Sequence, residues 1–192
     1  MNGSIGITVA QGSDDKLIPW TKEFQIGLEH IRENSDSDTI EFGSTLQPRY
    51  ELRYSNQVDS FEIINIRISA MFDPTIATFS RESWPVSENE KLLKFFQGAF
   101  DLTEEFARMA QTTVEDIFFR KSFPCKGRSK FEKKRLAQLN ARQKICNALK
   151  PVIAEMGSHN HVYLGKVGTP KQFDKHFKEY VDRFDELRKD VS

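Results

Sequence analysis

Two neighbouring segments of this chain alternate apolar and polar residues: RYELRY at 49–54 and SFEIINIRISAMF at 60–72. In the first, Tyr50, Leu52 and Tyr54 fall on one face and Arg49, Glu51 and Arg53 on the other, because successive side chains of an extended strand point to opposite sides. The second is rich in β-branched Ile, which suits a pleated surface. The polar SNQVD between them predicts an antiparallel hairpin closed by a loop of about five residues. A sheet of this kind needs helices to cover it.

The cover is written in aromatic residues. The chain has 16 Phe against 4 Tyr and 2 Trp, and many of the rings recur at helical spacing, which marks them as core. Trp20, Phe24, Leu28 and Ile31 predict a helix starting at Pro19. Ser87, with Glu90 three residues on, makes a capping box for a helix carrying Leu92, Phe95, Phe96, Ala99 and Phe100. Phe106, Met109, Ala110, Val114, Ile117 and Phe118 continue it. A cap at Asp101 or Thr103 would divide this stretch in two, and the spacing fits one helix or two. Thr169 as N-cap and Pro170 at the first helical position open a last helix with Phe173, Phe177, Tyr180, Val181, Phe184 and Leu187 on one stripe.

Two further strands are expected, SIGITV at 4–9 and HVYLGKV at 161–167. SFPCKG at 122–127 reads as a turn. Ser129 caps a basic helix, with Glu132 at its capping-box position, and Pro151 is expected to end or kink that helix. The predicted class is α+β, a small, largely antiparallel sheet of about four strands, including the hairpin at 49–72, packed with four to five helices. At 192 residues the chain is long enough to bury its own core, and a single domain over 1–192 is expected. No apolar run approaches the roughly 20 residues of a membrane span. The amino terminus lacks the charged-then-apolar order of a signal peptide. Two cysteines, Cys125 and Cys146, form no disulfide framework or zinc spacing, so a cytoplasmic setting is expected.

The formal net charge is zero, yet it is unevenly spread. Residues 1–119 hold 20 acidic and 10 basic side chains, and residues 120–144 hold 10 basic and 1 acidic. Such asymmetry marks a polyanion site, or a segment that docks on the protein's own acidic part.

The chain lacks the motifs of common enzymes. No glycine-rich phosphate loop and no G-x-S-x-G elbow occurs. The hairpin offers Glu51, Asp59 and Glu62 without the following Lys that a restriction-type nuclease places beside its metal. Cys125, beside Lys126 and Arg128, has the surroundings of a stabilised thiolate but no His partner in view. The HNH run at 159–161 puts His159 and His161 two residues apart, on one face of the expected strand. With Asp174 and His176 they would make a metal site for a hydrolase. No cofactor is implied and no catalytic residue is identified.

On a helical wheel at about 100° per residue, Phe131 set at zero places Leu149, Cys146, Leu139 and Ile145 on an expected buried face. Lys130, Lys133 and Lys144 lie opposite, toward solvent. Arg135 and Arg142 fall inside the apolar stripe, where they must pair, snorkel or meet a partner. Three accounts are open. They pair internally with Glu104, Glu105, Glu115 or Asp116. They join Arg120, Lys121, Arg128, Lys130 and Lys134 on a phosphate backbone, with Phe118, Phe119 and Phe123 adding stacking. Or they anchor an acidic protein partner. The expectation is a binding or accessory subunit of a larger complex that contacts nucleic acid or an acidic protein surface, with a dispersed-site enzyme as the alternative.

Overall fold

The alternating segments form the hairpin. In the computed structural model, which describes residues 16–34, 40–55, 59–124 and 126–189, the order is β1 Ile18–Pro19, β2 Arg32–Glu33, β3 Ser44–Ser55, β4 Ser60–Phe72, β5 Thr78–Phe79, α1 Asn89–Phe118, β6 Ser122–Pro124, α2 Lys130–Val167, α3 Pro170–His176 and α4 Lys178–Lys189. The class is α+β, with four α-helices among the described residues and a small, largely antiparallel sheet. In β3, Arg49, Glu51 and Arg53 are exposed while Tyr50, Leu52 and Tyr54 are half-buried, as alternation requires. The central strand β4 has β3 on one side. Its first residues pair antiparallel with β6 (Phe61 opposite Phe123) and its last with β1 (Ile18 opposite Phe72). The stretch read as a turn at 122–127 therefore begins as a strand. A second, two-stranded sheet pairs β2 with β5 in parallel. The strand expected at 4–9 lies outside the described residues.

Two expectations about local structure fail, and of a third only the helix-ending alternative does, each because distant contacts outweigh local pattern. The segment after Pro19 is not an α-helix. It leaves β1 and reaches only a short 3-10 turn at Leu28–His30. Its anchors are long-range: the Trp20 indole N–H donates to Asp101 (2.8 Å), and the Ile26 N–H to the Gln97 side chain (2.9 Å). HVYLGKV is helical, because Met156, Asn160, Tyr163 and Val167 are buried at spacings of four, three and four, a period no strand can bury. Pro151 does not end its helix: α2 runs through it for 38 residues. An interior proline costs about 3 kcal/mol. The buried runs Ala137–Ala141–Ile145–Leu149 before it and Met156–Tyr163–Val167 after it offset that at about 1.5–3 kcal/mol for each fully buried large side chain.

The long stretch at 89–118 is one helix of 30 residues. It needs no internal cap: Asp101 is buried and accepts side-chain bonds instead, and the Thr103 hydroxyl donates back to the Ala99 carbonyl. At the start of α1, the 3-10 turn Val86–Glu88 takes the place of the expected Ser87 cap, and Glu90 pairs with Lys94. Thr169 caps α3 as expected, accepting from the Gln172 N–H, with Pro170 at the first position. The last helix is split at Phe177 into α3 and α4.

By contact density the chain divides into two compact units, and β3, β4, α1 and α2 each contribute residues to both. The first comprises residues 1–46, 70–106 and 153–192. Its core is aromatic: Phe72 packs against Phe42 and Phe100, Trp84 against Phe95, and Tyr163 against Phe95 and Phe184. The second comprises residues 47–69 and 107–152. Its core is Phe61, Ile63, Ile66 and Ile68 with Ala110, Val114, Phe118, Phe123, Ala137, Ala141 and Ile145.

Candidate functional site

The second unit carries the basic segment. Gly127 introduces it at a φ of 125°, a conformation other residues rarely adopt, and a Cβ there would press on the Glu132 side chain at 2.8 Å. That close approach lets the Glu132 carboxylate accept the Arg128 N–H (2.8 Å), while the Ser129 hydroxyl accepts the Glu132 N–H (3.1 Å). The single acidic residue of the basic stretch is thereby committed to capping the helix start. The surrounding guanidinium and ammonium groups are left without it.

The structure keeps Ile145 and Leu149 of the expected buried face in the core and turns Phe131 and Leu139 out of it. The buried face of α2 within this unit is Ala137, Ala141, Ile145 and Leu149, each four residues from the next. Lys133, expected to face solvent, is half-buried, whereas Lys144 is exposed as expected. The Lys133 ammonium lies 3.2 Å from the Asp59 carboxylate, and that of Lys144 lies 5.5 Å from the Phe123 ring. Phe131 and Leu139, expected in the core, are 80% and 55% exposed. The physical reason is helix-to-sheet distance: the small Ala137 and Ala141 allow the backbone to approach, and a Phe in that row would hold it away. Cys146 is half-buried and free.

Arg135 and Arg142 are consequently exposed, on the same side as Phe131 and Leu139. Among the described residues neither has a carboxylate within 4.0 Å, and of the basic residues from 126 to 150 only Lys133 does. The internal ion pairs expected for these two are not found among the described residues. Glu105 is held by Arg183, and the Glu115 carboxylate accepts from Gln111. Arg142 does have a neighbour in Tyr50. The Tyr50 hydroxyl donates to the Gln138 carbonyl (2.8 Å); burial raises its pKa, and the nearby Arg142 charge opposes that rise. Arg128, Lys130 and Lys134 are also exposed.

Arg120 and Lys121 follow α1, just past its last residue Phe118. Arg120 has a φ of 58°, its N–H donates to the Ile63 carbonyl (2.8 Å), and its guanidinium lies 5.3 Å from the Phe119 ring. A glycine would hold this left-handed helix end at lower cost. Lys121 lies 5.0 Å from the Phe118 ring. Of the three Phe offered for stacking, Phe118 and Phe123 are buried and only Phe119 is exposed, at 49%. Sequence reasoning missed Phe131. The signal that would have found it is the Ala137–Ala141 pair, which marks the packed face more reliably than the largest ring does.

The metal reading loses its geometry. His159 and His161 sit on a helix, about 200° apart, not on one face of a strand. Both are exposed, and His159 meets the Phe106 ring edge-on at 5.2 Å. Asp174 is bound by Lys91 and His176 by Glu179, both at 2.8 Å. Among the described residues no three His, Cys, Asp or Glu side chains are grouped to hold a metal ion, and no helix is long and apolar enough to cross a membrane. Cys125 lies outside the described residues.

The arrangement left is an exposed face of cations and rings, which can bind anions and π-surfaces. No protein-family model, curated protein or solved structure matches the chain.

Proposed function

We propose that the second unit binds nucleic acid through the exposed side of α2, with Arg128, Lys130, Lys134, Arg135 and Arg142 on the phosphate backbone. Arg120 and Lys121 at the end of α1 supply further cationic contacts. One observation carries the reading: Arg135 and Arg142 stand in solvent beside exposed Phe131 and Leu139, without a carboxylate within 4.0 Å among the described residues. A solvated helix face has no use for an exposed ring between its cations, whereas a phosphate-and-base ligand uses both. The protein would then act as a binding or accessory component of a larger assembly, with no chemistry of its own on this face.

The test is binding of a labelled oligonucleotide by fluorescence anisotropy across a salt series. Affinity should fall linearly on a log–log plot, and each phosphate contact removed should flatten the slope by about 0.7–0.9. Arg135→Ala with Arg142→Ala should weaken binding and flatten the slope while leaving the far-ultraviolet circular dichroism unchanged. Salt-independent binding, or equal affinity in the double variant, would discard the proposal.

A further inference from the structure

We infer that this face takes single-stranded rather than duplex nucleic acid, with an unstacked base lying on the Phe131 ring. The inference rests on the nucleic-acid reading above and names the form of its ligand. Phe131 is 80% exposed in the first turn of α2. Lys134 and Arg135 follow it by three and four residues, spacings that bring side chains to the same side of a helix, and Arg128 lies just before the helix start. An exposed ring of this size, ringed by cations, has an unfavourable place on a duplex. There the outward surface is phosphate and sugar, and the base faces are hidden in the stack. A single strand offers both groups at once: phosphates for the guanidinium and ammonium groups, and a base face for the ring. Phe119 repeats the pairing at the end of α1, with the Arg120 guanidinium 5.3 Å from its centroid and the ring half exposed. Stacking on an aromatic face is indifferent to base identity, so the expected preference is for strand form and not for sequence.

The probes are a fluorescein-labelled oligothymidylate of about 16 nucleotides, within the span of known single-strand sites, and a mixed-sequence duplex of equal length. The intact chain should bind the oligothymidylate more tightly. Phe131→Ala should weaken it roughly 5- to 100-fold, leave the salt slope unchanged and leave duplex binding unchanged, while Phe131→Trp should retain the affinity. Because the ring is exposed, folding is not at stake in either variant. If Phe131→Ala leaves oligothymidylate binding within twofold, or weakens both probes alike, the stacking inference falls while the phosphate grip stands. If Arg135→Ala with Arg142→Ala leaves both probes bound as before, or neither probe binds at low salt, the nucleic-acid reading falls and this inference with it. An acidic protein partner is then what the face serves.

Discussion

The two units treat charge in opposite ways. The first holds 13 basic and 22 acidic side chains, a balance of −9, and the second 15 basic and 6 acidic, a balance of +9. In the first, seven of the thirteen basic groups pair with carboxylates among the described residues. Arg188 binds Asp101, Arg183 binds Glu105, Arg81 binds Glu33, and Lys91 binds both Glu88 and Asp174. In the second, the residues of the basic helix stand outward, and only Lys133 among residues 126–150 has an acidic partner among the described residues. The difference teaches where to look for function. A charge with an internal partner is accounted for by folding, whereas a row of unpartnered cations opposes folding through mutual repulsion and needs another explanation.

The comparison breaks first if the first unit's pairs are not structural. Asp101 is almost fully buried and accepts from the Trp20 indole, the Gln97 amide and the Arg188 guanidinium (2.6 Å). Arg188 also donates to the Lys22 carbonyl. Asp101→Ala would strand a largely buried guanidinium and two further donors. It should lower the unfolding free energy by about 3 kcal/mol, the low end for a broken buried pair because Arg188 keeps some solvent. Urea denaturation measures it, and a loss below about 1 kcal/mol would show the network to be ornamental.

A second prediction concerns packing within the same unit. A Cβ on Gly98 would overlap the Tyr163 hydroxyl and come within 2.9 Å of the Phe184 ring, whereas one on Gly165 would meet nothing. Both glycines are helical, so propensity alone favours alanine by about 1 kcal/mol at each. Gly98→Ala should instead destabilise by about 2 kcal/mol through overpacking, and Gly165→Ala should stabilise. Thermal melts of the two variants moving in the same direction would contradict the aromatic core described for this unit.

Next in size is Tyr163, buried, with its hydroxyl donating to the Phe95 carbonyl at 3.0 Å. Burial first, and the Asp101 charge second, hold its pKa well above the ordinary value. A folded pKa above the unfolded one, about 10, means its contribution is intact below pH 10. The contribution is lost as pH rises from there through the folded value. Tyr163→Phe should cost about 1 kcal/mol at neutral pH for the lost hydrogen bond. That gap should narrow above pH 10, because the variant has no buried phenol to ionise. A gap that stays constant into strong alkali would mean the hydroxyl reaches water.

These contacts also explain what could be read in advance. The hairpin, the Thr169–Pro170 helix start and the Ser129–Glu132 cap are local devices, complete within a few residues, and all three are found in the fold. The misreadings depend on residues far away in the chain. Nothing near Pro19 says that Trp20 will bind Asp101, 81 residues on, and nothing near Pro151 announces the buried rows on either side of it. The basic residues were visible as a group, and so was the anomaly of Arg135 and Arg142. Which way they point was not, because the wheel was set on Phe131, and apolarity alone does not distinguish a packed ring from an exposed one.

The smallest expected effect on stability is the most telling. If Arg135 and Arg142 were paired internally, Arg135→Glu with Arg142→Glu would set two like-charge contacts in place of two ion pairs and unfold the unit. As solvated cations on a unit of balance +9, their reversal removes repulsion and adds attraction to the lysines around them. Surface substitutions of this kind stay within about 0.5 kcal/mol, so the double variant should be as stable as the parent or slightly more so. The gain should be largest at low ionic strength and fade as salt screens the field over about 8–10 Å. The same variant should lose oligonucleotide binding altogether. Stability kept while binding is lost is the outcome that separates a surface retained for a partner from one retained for the fold. A destabilisation above about 1.5 kcal/mol, insensitive to salt, would place these two arginines with the structural charges of the first unit and erase the contrast between the two.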